Sequence, residues 1–315
     1  MDVLPFVILN GALTGMLLFM LAAGLTLVYG LMGIINFAHA SFYMLGAYLG
    51  YQFTVTLGFV PGLILAPAVL GLLGVAFRRL ILFRIGIQDQ VRQLLITFGA
   101  AMVVTEGVQM IWGRYAVAYH APRAMLEPLF NLGGLDFPIY RFFILAVATG
   151  LFVAIYGLLR FSRVGLILTA AQARPQMVRA MGYDLDHIHD LVFGLGLAVA
   201  GLAGAMAGPM IGVYPVMAER IITLLFVVVV VGGLGSLIGA LVVSLVLGLI
   251  DTAAVTYRIS LEPVVNSLFG PQERGTFLFD IASINTTTFA PMLPYLLMLL
   301  VLLLRPRGLM GQRDL

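Results

Sequence analysis

Apolar runs of about 20 residues recur along the chain, and that is the length an α-helix needs to cross the hydrocarbon core of a bilayer. They read at roughly 5–30, 35–56, 59–77, 93–112, 139–159, 190–212, 220–232, 236–256 and 290–304. The first, at 26 residues, tilts or runs into irregular backbone, and the seventh, "RIITLLFVVVVV", is short for a full crossing. It reads as half a helix or one arm of a re-entrant pair. Hydrophobic residues make up 62% of the chain and charged residues 10%, against about 25% charged in soluble domains. The expected fold is an all-α polytopic membrane protein with about eight to ten transmembrane or re-entrant segments, in a single domain spanning 1–315.

The absence of cysteine excludes disulfides, thiolate metal sites and a cysteine nucleophile. Lysine is also absent, so all 17 basic residues are arginine. Most of them cluster at 77–92, at 160–190 and in the tail "RPRGLMGQRDL", which holds Arg305, Arg307 and Arg313. The positive-inside rule places those three stretches in the cytoplasm. Loops 113–138, 213–219 and 257–289 then lie outside, with Trp112 at an interface, and "PVVNSLF" is a possible small helix in the last of them. Nine crossings give an outside N-terminus and a cytoplasmic C-terminus. "MDVLPFVILNGALTG" has no basic n-region and no small-residue cleavage site, so it reads as a first span.

Two apolar segments are interrupted, one in each half. "GLMGIINFAHASF" carries Gly30, Gly33, Asn36, His39 and Ser41. Glycine weakens a helix, while Asn36 and Ser41 can bond freed backbone groups. "VVVVVGGLGSLIG" carries Gly232, Gly233 and Gly235, and Ser236 is placed to cap the next helix. Paired breaks of this kind point to a translocation site. Close helix packing is the competing explanation, and it suits "GLAGAMAGPMIG" at 201–212 well. It leaves Asn36 and His39 without a purpose. His39, Glu106 and Asp251 are the ionisable groups inside spans, too scattered for a proton relay.

Within the second arginine-rich stretch, Pro175 suits a first helical turn and Gly182 a stop. Met177, Val178 and Met181 fall on one face between them, a small methionine-rich surface suited to a partner's groove, to its own membrane domain or to the bilayer surface. "DLDHIHD" holds His187 and His189 two residues apart, a spacing that does not put them on one helix face, so it reads as a solvated charged connection. A G-x-x-x-x-G-K-[ST] loop cannot exist without lysine, so any ATPase is another chain.

Four stretches carry a resemblance: "GLTLVYGLMGIINFAHASFYMLGAYLGY", "AAQARPQMVRAMGYDLDHIHDLVFGLGLAVAGLAGAMAGP", "VVVVGGLGSLIGALVVSLVLGLID" and "LLLRPRGLMG". In order and spacing the chain resembles the permease subunits of branched-chain amino acid ABC transporters, the high-affinity leucine/isoleucine/valine type. Pro175 and Arg179 depart from the family pattern, and 257–289 is longer than its usual connection. The resemblance implies a second permease subunit, two cytoplasmic ATPase subunits and a periplasmic solute-binding protein, in the bacterial inner membrane. It implies that Arg174, Met177, Val178, Met181, Gly182, Tyr183 and Asp184 seat in the ATPase groove. Asn36, His39 and Ser41 would line or shape the path, with Gly232, Gly233, Gly235 and Ser236 opposite. No cofactor, metal site or catalytic set is implied. Related permeases carry urea, amides or other small solutes, so that alternative stays open. So does an ion-coupled secondary transporter, although it wants more intramembrane carboxylates than Glu106 and Asp251.

Overall fold

The computed structural model describes residues 3–84, 90–132, 135–257, 267, 270 and 285–310. The small helix expected at "PVVNSLF" (apart from Ser267), most of loop 257–289, and Arg313 lie outside the described residues.

Each of the nine apolar runs is a helix. The first half holds α1 (Val3–Met32), α2 (His39–Leu57), α3 (Phe59–Leu80) and α4 (Gln90–Trp112). The loop that follows contains a four-residue helix, α5 (Arg123–Leu126), and an antiparallel hairpin of β1 (Pro128–Leu132) and β2 (Leu135–Pro138). Next come α6 (Ile139–Phe161), α7 (Arg163–Ala173), α8 (Pro175–Ala180) and α9 (Leu185–Ile211). The chain continues through α10 (Met217–Gly232), α11 (Leu237–Tyr257), α12 (Thr286–Phe289) and α13 (Leu293–Leu304). Among the described residues, 7 helical stretches are long and apolar enough to cross a membrane. The other two runs are α2, whose 19 residues are less apolar, and α10, whose 16 residues span only about 24 Å.

Helix ends follow from local chemistry. Asp184 caps α9 by accepting from the backbone N–H groups of Asp186 (3.0 Å) and His187 (3.2 Å). Ser162 caps α7 through the Gly165 N–H at 3.1 Å. Gly58, at φ +100°, is the single residue between α2 and α3, a conformation that suits glycine.

The most enclosed span is α9, packed by α1, α2 and α3, whereas α4 and α13 turn most of their surface outward. Lipid provides no hydrophobic drive between helices, so association depends on close approach. Glycine supplies it here. A Cβ on Gly46 of α2 would come within 2.5 Å of the Gly201 Cα on α9, and one on Gly24 of α1 within 2.5 Å of the Gly196 carbonyl oxygen. The glycine-rich stretch 201–212 therefore serves packing.

Arginines gather at one end of the bundle, which holds the C-terminal ends of α3, α6 and α13 together with α7 and α8. The tail also docks there. Leu309 N–H donates to the Val231 carbonyl at 2.8 Å and Met310 N–H to that of Gly232 at 3.1 Å. These bonds satisfy acceptors that the end of α10 would leave unpaired.

Candidate functional site

The first break is built around a histidine. Gly33, at φ +68°, ends α1 with its N–H on the Tyr29 carbonyl at 2.8 Å. Asn36 then restarts the chain: its Oδ1 accepts from Ala38 N–H at 3.0 Å and its carbonyl from His39 N–H at 3.2 Å. His39 is fully buried, with Nε2 3.3 Å from the Leu21 carbonyl oxygen in the middle of α1. A carbonyl only accepts, so Nε2 carries the proton and Nδ1 is an acceptor with no partner among the described residues. A Cβ on Gly24 would sit 3.0 Å from that Nε2. The ring is thus a wedge at the junction of α1, α2 and α9.

Asn36, His39 and Ser41 are all buried, and Ser41 also borders a cavity of about 360 Å³ between α2, α4 and α10, together with Phe37, Glu106 and Glu219. Phe37 packs on Phe226 of α10 at 4.7 Å between ring centroids, and its N–H donates to Thr97 of α4 at 3.2 Å. The break therefore ties α4 and α10 to the core.

The second break packs directly on the first. Gly235 has φ +84°, and a Cβ there would fall 2.9 Å from the Gly30 Cα. Gly235 also lines a cavity of about 150 Å³ with Gly30, Thr169 and Gln172. Ser236 caps α11 by accepting from Gly239 N–H at 3.1 Å. Gly232 lies against Gly239, where a Cβ would come within 2.7 Å of the Gly239 carbonyl carbon. Gly233, at φ +100°, forms the turn between α10 and α11 and abuts Gly308 of the tail.

The loop between α6 and α9 presents a split surface. Met177 is 56% exposed and Met181 74%, while Val178 is only 4% exposed and packs with Ala171 and Leu185 in a small core of its own. Sequence periodicity groups these three on one face; the fold turns Val178 inward as an anchor and leaves the two methionines outward. Gly182, at φ +88°, ends α8, and Arg174, Tyr183 and Asp184 are exposed beside it.

What the sequence presents as a solvated connection is an ion cluster centred on a buried arginine–aspartate pair, with its outer members half exposed. Arg78, on the last turn of α3, is 3% exposed. Its Nη1 donates to Asp190 Oδ1 at 2.6 Å and to the Asp186 carbonyl at 2.8 Å; its Nη2 donates to Asp186 Oδ1 at 3.0 Å. Arg79 Nε donates to Asp190 Oδ2. The Phe83 ring lies 5.5 Å from the Arg78 guanidinium carbon. His187 faces Arg79 at 3.4 Å, whereas His189 is buried, so the two histidines diverge. No group of three or more histidines and carboxylates among the described residues is placed to hold a metal ion. The arginine pair closing α3 and the aspartates of "DLDHIHD" were visible in sequence; their pairing was not.

A bundle of membrane-crossing helices with backbone breaks at its centre and an exposed helix at its arginine-rich end defines a multi-pass permease component. The chain belongs to the family described as "Branched-chain amino acid transport system / permease component", whose pattern it matches over residues 7–304. It is 25% identical to the high-affinity branched-chain amino acid transport system permease protein LivH of Escherichia coli K12, over 97% of this chain and 94% of that protein. The probable LivH of Methanocaldococcus jannaschii is 28% identical, over 96% and 92% respectively. BraD of Pseudomonas aeruginosa is 24% identical, over 98% and 95%.

Proposed function

We propose that the chain is the membrane-spanning permease subunit of a binding-protein-dependent ABC importer for branched-chain and other hydrophobic amino acids. Residues 1–315 act as one permease unit in a bacterial inner membrane, with the N-terminus outside, the C-terminus in the cytoplasm, and 257–289 as an extracytoplasmic loop. A second permease subunit completes the path. A periplasmic solute-binding protein delivers the amino acid. Two cytoplasmic ATPase subunits supply the work, because this chain has no nucleotide-binding loop of its own.

The observation that carries this reading is the split surface of α8. Met177 and Met181 project outward where an ATPase groove would receive them, with Arg174, Gly182, Tyr183 and Asp184 beside them. Val178 fastens the helix to α7 and α9, and the ion cluster fastens α9 to α3, so a push on α8 reaches the membrane core through packed elements. Ser41 faces the path, Asn36 and His39 hold its wall, and Gly232, Gly233, Gly235 and Ser236 form the turn against which that wall rests.

Reconstitution tests the reading. In vesicles the purified chain alone moves no solute uphill. With its ATPases, second permease and binding protein it takes up leucine in an ATP-dependent way. Met181→Asp inserts normally and abolishes that uptake, and Asn36→Leu lowers it. Concentration of a solute by the chain alone, driven by an ion gradient, would overturn the proposal.

A further inference from the structure

At the end of the bundle opposite the arginine cluster lies a cavity of about 570 Å³, within the range of about 300–1,000 Å³ typical of small-molecule sites. It is walled by the first turns of α10, the far end of α11 and the start of α13. Two opposite charges line it from different helices: Arg220 on α10 and Asp251 on α11. Among the described residues no ion pair joins them, and Asp251 has no cationic partner. The Arg220 guanidinium donates a hydrogen bond to the Tyr214 hydroxyl, which leaves its other N–H donors for a ligand. The remaining wall is largely apolar and includes Ile221, Leu224 and Val255.

A carboxylate inside a span is costly unless a cation answers it. A guanidinium gains most from a carboxylate that it can hold with two parallel hydrogen bonds. A zwitterionic α-amino acid brings both groups on adjacent atoms. Its side chain then needs an apolar wall, and this cavity has one. The geometry points to an amino-acid subsite in which Arg220 binds the α-carboxylate, Asp251 the α-ammonium, and Ile221, Leu224 and Val255 the branched aliphatic side chain. This inference deepens the importer reading and rests on it. The site is where the chain would receive amino acid released by the binding protein, before transfer toward Ser41. Its two charges demand both ends of the amino acid, whereas a plain hydrophobic pore would accept amines or carboxylic acids equally well.

The test uses the purified permease–ATPase complex in nanodiscs, without binding protein. Leucine, isoamylamine and 4-methylpentanoate are titrated by saturation-transfer NMR. The unsubstituted complex binds leucine most tightly. Asp251→Asn weakens leucine about tenfold or more, the scale of a lost charge-assisted hydrogen bond, and leaves 4-methylpentanoate unchanged. Arg220→Gln weakens leucine similarly and leaves isoamylamine unchanged, while Arg220→Lys retains part of the affinity. Subunit co-purification checks assembly of each variant. Absence of saturable leucine binding, or equal binding by all variants, overturns the subsite. ATP-driven leucine uptake by the unsubstituted complex with its binding protein is measured in parallel. Uptake there with unselective variants overturns the subsite alone, and no uptake overturns the importer reading and the subsite with it.

Discussion

The two ends of the bundle use charge in opposite ways. At the arginine-rich end, Arg78 and Asp190 are each 4% exposed at the side chain and are paired with each other at 2.6 Å. Asp186 and Arg79, each about half exposed, flank that pair and bind the end of α3 to the start of α9. At the other end, Arg220 and Asp251 line one cavity without pairing among the described residues. The lesson concerns satisfaction rather than charge count. A buried guanidinium held between two carboxylates of its own chain is structural, and one that opens on a cavity opposite a carboxylate with no ion pair is available to a ligand.

This contrast breaks first at Asp190. Asp190→Ala leaves a buried Arg78 short of its main partner and should destabilise the protein by about 3–5 kcal/mol, read as a fall in detergent thermal stability and in yield of assembled complex. Replacing both, as Arg78→Leu with Asp190→Leu, should recover most of that loss, because no charge is then stranded. A double variant as unstable as the single one would argue that the cluster does more than satisfy itself.

A smaller effect is expected where the two backbone breaks meet. Gly235→Val sets a branched side chain at φ +84° against the Gly30 Cα and should cost about 2–3 kcal/mol in the same melting assay. Gly46→Ala, against Gly201 in the α2–α9 contact, should cost about 1–3 kcal/mol. The smallest effect belongs to the open end. Arg220→Gln should change thermal stability by no more than about 0.5 kcal/mol, as expected for a side chain outside the packed core. A large loss of stability there would move Arg220 to the structural class.

Much of the architecture was legible in the residues. Each apolar run became a helix because a polypeptide in lipid must satisfy its own backbone, and a helix does so within one segment. Pro175 opens α8, Gly182 closes it, and Ser236 caps α11, since these are local effects of single side chains. Less was legible where the decision was made across the chain. Val178 and Met177 are sequence neighbours of similar apolarity, and only the position of Ala171 and Leu185 sends one inward and the other out. Arg78 and Asp190 are 112 residues apart, so nothing local marks them as partners. The hairpin of β1 and β2 sits in a loop whose short segments carry too weak an alternation to read.

The residues by themselves settled that this chain crosses a membrane many times, where its helices stop and which end carries the arginines. Hydropathy, glycine and proline act over a few residues, so they need no knowledge of the rest of the fold. Tertiary structure alone decided that His39 wedges three helices together, that the two glycine breaks touch, and which charges are consumed by one another. Those outcomes depend on helices meeting at particular heights, and a height is a relation between distant segments that no single stretch of sequence contains.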